Sequence, residues 1–329
     1  MKAVWFDRFG PAAEVLTVGE QPTPDPGPGE VLVRLATSGV NPSDVKKRAG
    51  AFPDLLDNGP VIPHSDGAGV IEAVGEGVAD ARIGERVFVY QAQYGRRLGT
   101  AAQYVALDSA RAPRLPEEAS FAVGACVGIP IMTAHRCVLA DGDVAGLRVL
   151  VTGGAGRVGY YAIQWARRNG ARVFATAGND EDAALCRSLG AEYVVNHREA
   201  GWGQALLEYT GGARIDRVID VEFGANVPEV LDCIRTGGTI ATYSSTVVPE
   251  PALPFRTMMF MDLTVRMVLV YAMPEKAKRS AVAHTQAALQ AGELVHRIAG
   301  ELLFAEMARA HELIEAGGCG GCIVVNIDG

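Results

Sequence analysis

Three glycines, Gly154, Gly156 and Gly159, stand at G-x-G-x-x-G spacing between a β-branched run, Arg148–Thr152, and a helical apolar segment, Tyr160–Ala166. Strand, glycine turn and helix in this order are what a dinucleotide pyrophosphate requires. Gly154 allows the tight turn, Gly156 lets the backbone approach the phosphates, and Gly159 lets the helix pack on its strand. The N–H groups and positive dipole end of the helix, at Ala155, Arg157 and Val158, then face the anion. A second pattern, Cys319-Gly-Gly-Cys322, has the C-x-x-C spacing of a zinc knuckle or a redox pair. A structural zinc needs two more ligands and no second such pair exists, so a plain C-terminal turn is the expectation.

A positioning frame for the glycine turn follows from the surrounding pattern. Strands are expected at Arg172–Ala177, Tyr193–Asn196, Arg217–Val221 and Thr239–Tyr243, with helices between them. One helix runs from Asp180, a candidate cap, to Gly190; another has Pro228 in its first turn and stops at Gly237. This alternation implies right-handed β-α-β units and a doubly wound parallel sheet. The first 120 or so residues instead offer short strands, Glu30–Ala36, Gly69–Val74 and Glu85–Val89, broken by Pro and Gly, as in an antiparallel barrel or roll. Helices are expected at Glu275–Ala291 and Glu306–Ala316, and a closing strand, Cys322–Ile327, needs the N-terminal sheet as its host. The expected class is α/β: a roll formed by residues 1–124 and 274–329, with a nucleotide domain, 125–273, inserted into it and a cleft between the two.

The chain has 329 residues, 49% hydrophobic and 21% charged, with a net charge of −8. That composition describes a globular protein, and the scattered basic residues lack the footprint of a nucleic-acid partner. No apolar run is long enough for a bilayer and the N-terminus lacks a signal peptide's h-region, so a cytoplasmic protein without a membrane partner is expected. The six cysteines lie mostly alone in apolar segments, where thiols are usually buried.

The order roll, nucleotide domain, return resembles the medium-chain dehydrogenase/reductase superfamily, and more closely its zinc-free zeta-crystallin-like NADPH:quinone oxidoreductases. The resemblance rests on Gly39-Val-Asn-Pro-Ser-Asp44, Asp66-Gly-Ala-Gly-Val-Ile-Glu-Ala-Val-Gly75, Gly128-Ile-Pro-Ile-Met-Thr-Ala134, the glycine turn, Asn196-His-Arg-Glu199 and Ala310-His-Glu-Leu-Ile314. It implies a GroES-like first domain, a Rossmann second domain and a homodimer in which Leu263–Tyr271 pairs edge to edge with its twin. Where metal-dependent members carry a zinc-binding Cys and His, this chain has Asn41 and Ser65, poor zinc ligands, and so no metal is expected.

The cofactor implied is NADPH, with NADH the alternative. The tip of the second strand, Thr176-Ala-Gly178, lacks the carboxylate of NAD sites, and His197, Arg198 and Arg157 are the groups left to meet a 2′-phosphate. By the same resemblance Gly178, Asn226, Ser244, Leu269, Val270 and Tyr271 contact the cofactor. Asn41, Asp44 and Lys46 match positions beside the nicotinamide, and Thr133 matches a hydroxyl near its carboxamide. Lys46 replaces a tyrosine common in the family; its ammonium would stabilise an oxyanion or give up a proton, or else is a solvated lysine. His64 and His135 are expected to be packed histidines, and Phe52, Tyr94 and Tyr104 core aromatics or the lining of an acceptor pocket. The implied activity is reduction of a quinone or quinone-like conjugated carbonyl by hydride transfer. The alternatives are reduction of a 2-alkenal or enone double bond, and a non-catalytic NADPH- or RNA-binding role.

Overall fold

A computed structural model describes residues 1–327; positions 328 and 329, the end of the expected C-terminal segment, lie outside the described residues. The chain divides into two units, Met1–Ile129 with Val282–Gly329, and Pro130–Ala281.

In the first unit, β1 (Lys2–Trp5) and β2 (Thr17–Glu20) form an antiparallel pair, joined by a chain that includes the single turn α1 (Ala12–Val15). The main sheet contains β3 (Glu30–Val40), β4 (Asp66–Val74), β5 (Arg86–Val89), β6 (Tyr104–Asp108), β13 (Ile298–Leu303) and β14 (Cys322–Asn326). Its path is β13-β14-β3-β4-β5, with β6 also on β3. The closing strand β14 pairs antiparallel with β3, as its isolation in the sequence requires. Alternate residues of β3, Val31, Val33 and Leu35, enter a core shared with Ile71, Leu107, Val325 and Met307. Helices α2 (Pro42–Arg48), α3 (Phe121–Gly124) and α11 (Met307–Ala316) complete the unit.

The second unit is a six-stranded parallel sheet. Its strands are β7 (Arg148–Val151), β8 (Arg172–Ala177), β9 (Tyr193–Asn196), β10 (Ile215–Asp220), β11 (Ile234–Thr242) and β12 (Thr264–Met267), in the order β12-β11-β10-β7-β8-β9. The order reverses between β7 and β10, the switch point at which such sheets bind ligands beyond their carboxyl ends. Helices α5 (Arg157–Arg168), α6 (Asp180–Ser188), α7 (Trp202–Tyr209) and α8 (Phe223–Cys233) follow successive strands, with α9 (Phe255–Phe260) before β12. Two further helices, α4 (Ile129–Leu139) and α10 (Glu275–Gln290), contain the points at which the chain passes from one unit to the other.

Three sequence expectations give way here. Pro228 lies in the middle of α8 rather than in its first turn. Phe223, Val227, Val230 and Cys233 fall on one helical face and are all buried in the sheet's core, which outweighs the one hydrogen bond that proline forfeits. The helix ends at Cys233, and Gly237, with φ +68°, lies in a bulge of β11 where the register to β10 shifts. The cap of α6 is Asn179, whose side chain accepts from the Asp182 N–H at 2.8 Å; Asp180 is the first helical residue.

Candidate active site and dinucleotide turn

In the second unit the chain leaves β7 through Gly153, whose φ of +59° makes it the left-handed residue of the turn, one position before the glycine expected there. Its N–H donates to the Thr176 hydroxyl at 2.9 Å, and the Gly154 N–H donates to the Thr176 carbonyl at 2.9 Å, stitching the turn to β8. Gly154 serves packing instead: a Cβ there would lie 2.8 Å from the Cys186 sulfur and 2.9 Å from Ile163. A Cβ on Gly159 would lie 2.3 Å from the Gly153 carbonyl oxygen. On Gly156 the nearest atom would be that oxygen at 3.1 Å, so this glycine leaves room outside the turn. Gly156 caps α5, with Arg157, Val158 and Gly159 in the first turn and no acidic residue there to occupy the dipole.

Past β8 and β9, Gly178, His197 and Arg198 converge. A Cβ on Gly178 would lie 3.0 Å from Arg198 Nε and 3.2 Å from His197 Nε2. His197 Nδ1 lies 3.3 Å from the Thr176 hydroxyl. Burial, with the Arg198 charge adding to it, holds His197 below the usual imidazole range. A neutral ring accepting at Nδ1 from Thr176 carries its proton on Nε2, which then serves as a donor beside the Arg198 guanidinium. Past the β8 tip, the Asp182 carboxylate accepts the Asn179 amide at 2.9 Å.

The remaining cofactor candidates lie after β10, β11 and β12. Asn226 donates its amide to Asp220 Oδ1 at 3.3 Å, and burial pushes the Asp220 carboxyl up to about 6. Ser244 accepts the Phe223 N–H at 3.0 Å through its carbonyl and pairs its hydroxyl with Thr246. Glu222, which sequence reasoning passed over, accepts the N–H groups of Thr246 and Val247 at 2.8 and 2.9 Å and anchors that loop. Leu269 is exposed, while Val270 and Tyr271 are buried in a short 3-10 turn. The glycine turn, Gly178, His197, Ser244 and Leu269 thus all follow the carboxyl ends of strands of one parallel sheet.

In the first unit Asn41 directly follows β3 and caps α2. Its N–H donates to Asp44 Oδ2 at 2.9 Å, and its amide donates to Asp66 Oδ2 at 2.9 Å. The same Asp66 oxygen accepts the Ile129 N–H at 2.7 Å. Asn41, Asp44 and Asp66 are all buried, and so is Lys47, whose ammonium nitrogen donates to the Gln93 carbonyl at 3.2 Å. Burial pushes Asp66 up to about 8 and Asp44 up to about 6, and it lowers Lys47. A buried acid and a buried amine each move toward the neutral form, the cheaper state away from water. Lys46, the neighbour singled out from the sequence, is exposed on α2. Thr133 is buried within α4 in the second unit.

His64 and His135 are both buried, as expected. His64 adopts φ +76°, accommodated by a Ser38 hydroxyl at 2.8 Å from Nδ1 and His311 Nε2 at 2.9 Å from Nε2. Burial drives both rings toward the neutral form, His311 down to about 3. His135 packs edge-on to Trp165. Phe52 and Tyr94 are not core aromatics: they are 55% and 49% exposed.

Comparison with known proteins agrees with this architecture. The "Alcohol dehydrogenase GroES-like domain" family matches residues 27–117, and the "Zinc-binding dehydrogenase" family matches residues 158–286. A quinone oxidoreductase of Homo sapiens is 32% identical over 99% of this chain and 97% of its own. The chain belongs to the quinone oxidoreductase family of the medium-chain dehydrogenase/reductase superfamily. Membership makes it an oxidoreductase with a GroES-like and a Rossmann domain. A 2-haloacrylate reductase of a Burkholderia species is 31% identical over 74% of this chain and 72% of its own. Among solved structures, an NAD-dependent alcohol dehydrogenase superposes with a TM-score of 0.88 at 29% identity, covering 99% of this chain and 100% of that one. A mycobacterial relative complexed with NADPH superposes at 0.86 with 26% identity and the same coverage.

The name of the second family raises zinc. The positions here do not suit it: Asn41 uses its amide as a hydrogen-bond donor to Asp66, and Ser65 offers a hydroxyl. Among the described residues no group of three or more His, Cys, Asp or Glu side chains is gathered for a metal ion. A dinucleotide fits better, through the small glycine turn at the N-terminus of α5 and the cationic tip at Gly178.

Proposed function

We propose that this chain reduces quinones or quinone-like conjugated carbonyls with NADPH, without zinc, as a cytoplasmic homodimer. The convergence of Gly178, His197 and Arg198 supports the cofactor: two donors, one a permanent cation, face a glycine tip that carries no carboxylate. NADPH, when bound, supplies a hydride to the acceptor.

The chain's own residues hold the two partners and receive the charge that develops. The α5 N-terminus and the backbone of the glycine turn bind the pyrophosphate, and Arg198 with His197 Nε2 binds the 2′-phosphate. Asn41, its amide plane fixed by Asp66, keeps a constant orientation toward the acceptor, with Asp44 fixing its backbone. Lys46 is exposed on α2, where its side chain is free to reach toward a developing oxyanion. Phe52 and Tyr94 offer exposed rings against which a planar acceptor can stack.

The cofactor is tested by replacing Arg198 with alanine. Loss of one charge-assisted phosphate contact, about 2 kcal/mol, should lower kcat/KM for NADPH roughly thirtyfold and leave NADH nearly unchanged. Equal losses with both cofactors would place the phosphate elsewhere. Metal-stripped protein assayed with 1,4-benzoquinone, 9,10-phenanthrenequinone and 2-hexenal tests the acceptor. Turnover confined to 2-hexenal would favour the second reading, reduction of an activated carbon–carbon double bond, which the 2-haloacrylate reductase relative supports.

The dimer rests on β12, an edge strand of the parallel sheet followed by apolar residues, with Met267 74% and Leu269 59% exposed. Such an edge invites pairing with its own copy. Met267→Lys with Leu269→Lys should turn a dimer into a monomer by light scattering; an unaltered mass would remove this edge from the interface.

A further inference from the structure

Four polar side chains of the first unit are wholly buried and touch one another in a line. Ser38 lies on β3, His64 two residues before β4 begins, Thr100 in the chain before β6, and His311 on α11, and all four are 0% exposed. The contacts run from His311 Nε2 to His64 Nε2 at 2.9 Å, from His64 Nδ1 to the Ser38 hydroxyl at 2.8 Å, and from that hydroxyl to Thr100 Oγ1 at 2.8 Å. The line ends where the Thr100 hydroxyl donates to the Asp66 carbonyl at 2.6 Å.

A carbonyl can only accept, and that fixes every proton behind it. Thr100 uses its one hydroxyl proton on Asp66, so Ser38 must donate to Thr100. Ser38 then has no proton left, and His64 Nδ1 must donate to Ser38. Burial, followed by the neighbouring ring and Lys47, keeps His64 neutral, so its Nε2 is a bare acceptor. It accepts from His311 Nε2. Burial, followed by Arg48, keeps His311 neutral as well, which leaves Nδ1 as its unprotonated nitrogen. That atom is buried without a partner, and by this order it holds a lone pair and not an N–H. Because a carbonyl closes the line, the line orders protons and does not conduct them.

His64 is also held at φ +76°, a conformation that a residue with a Cβ keeps only where its surroundings impose it. The carbonyls around it are taken in turn: Pro63 by the Ala101 N–H at 3.1 Å, His64 by the Thr100 N–H at 3.1 Å and Ser65 by the Ala92 N–H at 3.0 Å. A hydrogen-bonded network in a core rigidifies one arrangement, where apolar side chains would tolerate several. Its far end is Asp66, whose carboxyl accepts the Asn41 amide at 2.9 Å. We propose that His311 is a positioning residue for the reaction: through His64, Ser38 and Thr100 it fixes Asp66, and Asp66 fixes the Asn41 amide. This role rests on the proposed function, in which Asn41 faces the acceptor.

The test labels the histidines of the full-length protein with 15N and reads each ring's tautomer from its two-bond nitrogen–proton couplings, with His64 and His311 assigned by substitution. Expected is a proton on Nδ1 of His64 and on Nε2 of His311, unchanged between about pH 5 and 8. A proton on His64 Nε2, or titration of either ring in that range, overturns the proposal. His311→Phe removes the donor, and His311→Gln restores one, since the terminal amide nitrogen of Gln stands close to where Nε2 stood. The Phe variant should lower kcat roughly tenfold or more with little change in KM for NADPH, and should speed hydrogen exchange at Asn41 Nδ2; the Gln variant should recover most of both. A folded Phe variant with wild-type kcat and Asn41 exchange overturns the proposal, and so do equal losses in the two variants, which would reflect packing alone. If the Phe variant does not fold, the wild-type tautomers and the Gln variant decide. A wild type that reduces no acceptor would refute the proposed function, while Asn41 exchange, which needs no turnover, would still decide whether His311 fixes Asn41.

Discussion

Gly159→Val is expected to abolish NADPH binding and to lower the melting temperature, whereas Gly156→Ala weakens binding alone. The difference follows from where each Cβ would go. At Gly159 it would lie 2.3 Å from the Gly153 carbonyl oxygen and 2.9 Å from the Gly154 Cα, backbone atoms that cannot rotate away. Helix α5 must therefore lift from β7, which removes the burial of Ile163 and Ala162 as well as the phosphate geometry. Overpacking of this kind costs about 3 kcal/mol or more. At Gly156 the nearest atom would be 3.1 Å away, so the fold adjusts by tenths of an ångström. The added methyl instead stands where the pyrophosphate must approach, and binding should weaken at least a hundredfold, about 2.7 kcal/mol. Fluorescence titration with NADPH beside a thermal melt separates the two effects. Undiminished binding in Gly156→Ala would show that the turn is structural and that the dinucleotide lies elsewhere.

Strand bounds were legible from punctuation at β8 and β9, which occupy the residues read from the sequence, Arg172–Ala177 and Tyr193–Asn196, whereas β11 begins at Ile234, ahead of the Thr239 expected. The same punctuation misled at Pro228 and Gly237, because local rules cannot weigh a buried face of α8 against one missing hydrogen bond. The glycine turn was found, but its left-handed residue was misplaced by one, since G-x-G-x-x-G spacing carries no dihedral angle. Around Asn41 the sequence offered Lys46 as the cation of interest and passed over Lys47 and Asp66. Which of two adjacent lysines turns inward depends on the phase of α2 against Gln93 and β4, a tertiary fact.

Asp66→Ala is the second large effect expected, in both stability and turnover. The substitution orphans two buried donors at once, the Asn41 amide and the Ile129 N–H. A buried unsatisfied donor costs about 1–3 kcal/mol, so the pair should lower unfolding free energy by roughly 3 kcal/mol. The freed Asn41 side chain should also lower kcat by tenfold or more, about 1.4 kcal/mol, with a smaller change in KM. Asp66→Asn keeps an acceptor for both donors, and its added amide lies where Asp66 Oδ1 now packs against Gly128 without a partner. It should retain most of the stability and of the turnover at neutral pH.

The conservative variant also carries a pH signature that separates protonation from shape. Asp66 is raised from 3.8 to about 8, so between those values the unfolded chain has released a proton that the folded chain keeps. Stability from this group is complete below pH 4 and falls as pH rises toward 8, the reverse of a carboxylate held by a salt bridge. Lys47, lowered by burial, acts in the opposite sense. Asp66→Asn has no proton to lose at this position. Its urea-unfolding free energy should therefore climb relative to wild type from pH 4 to 8 and level off above. A flat difference across that range would mean that Asp66 is ionised in the folded protein and that Lys47 is its charged partner. The buried cluster would then hold Asn41 by an ion pair and not by a neutral acid.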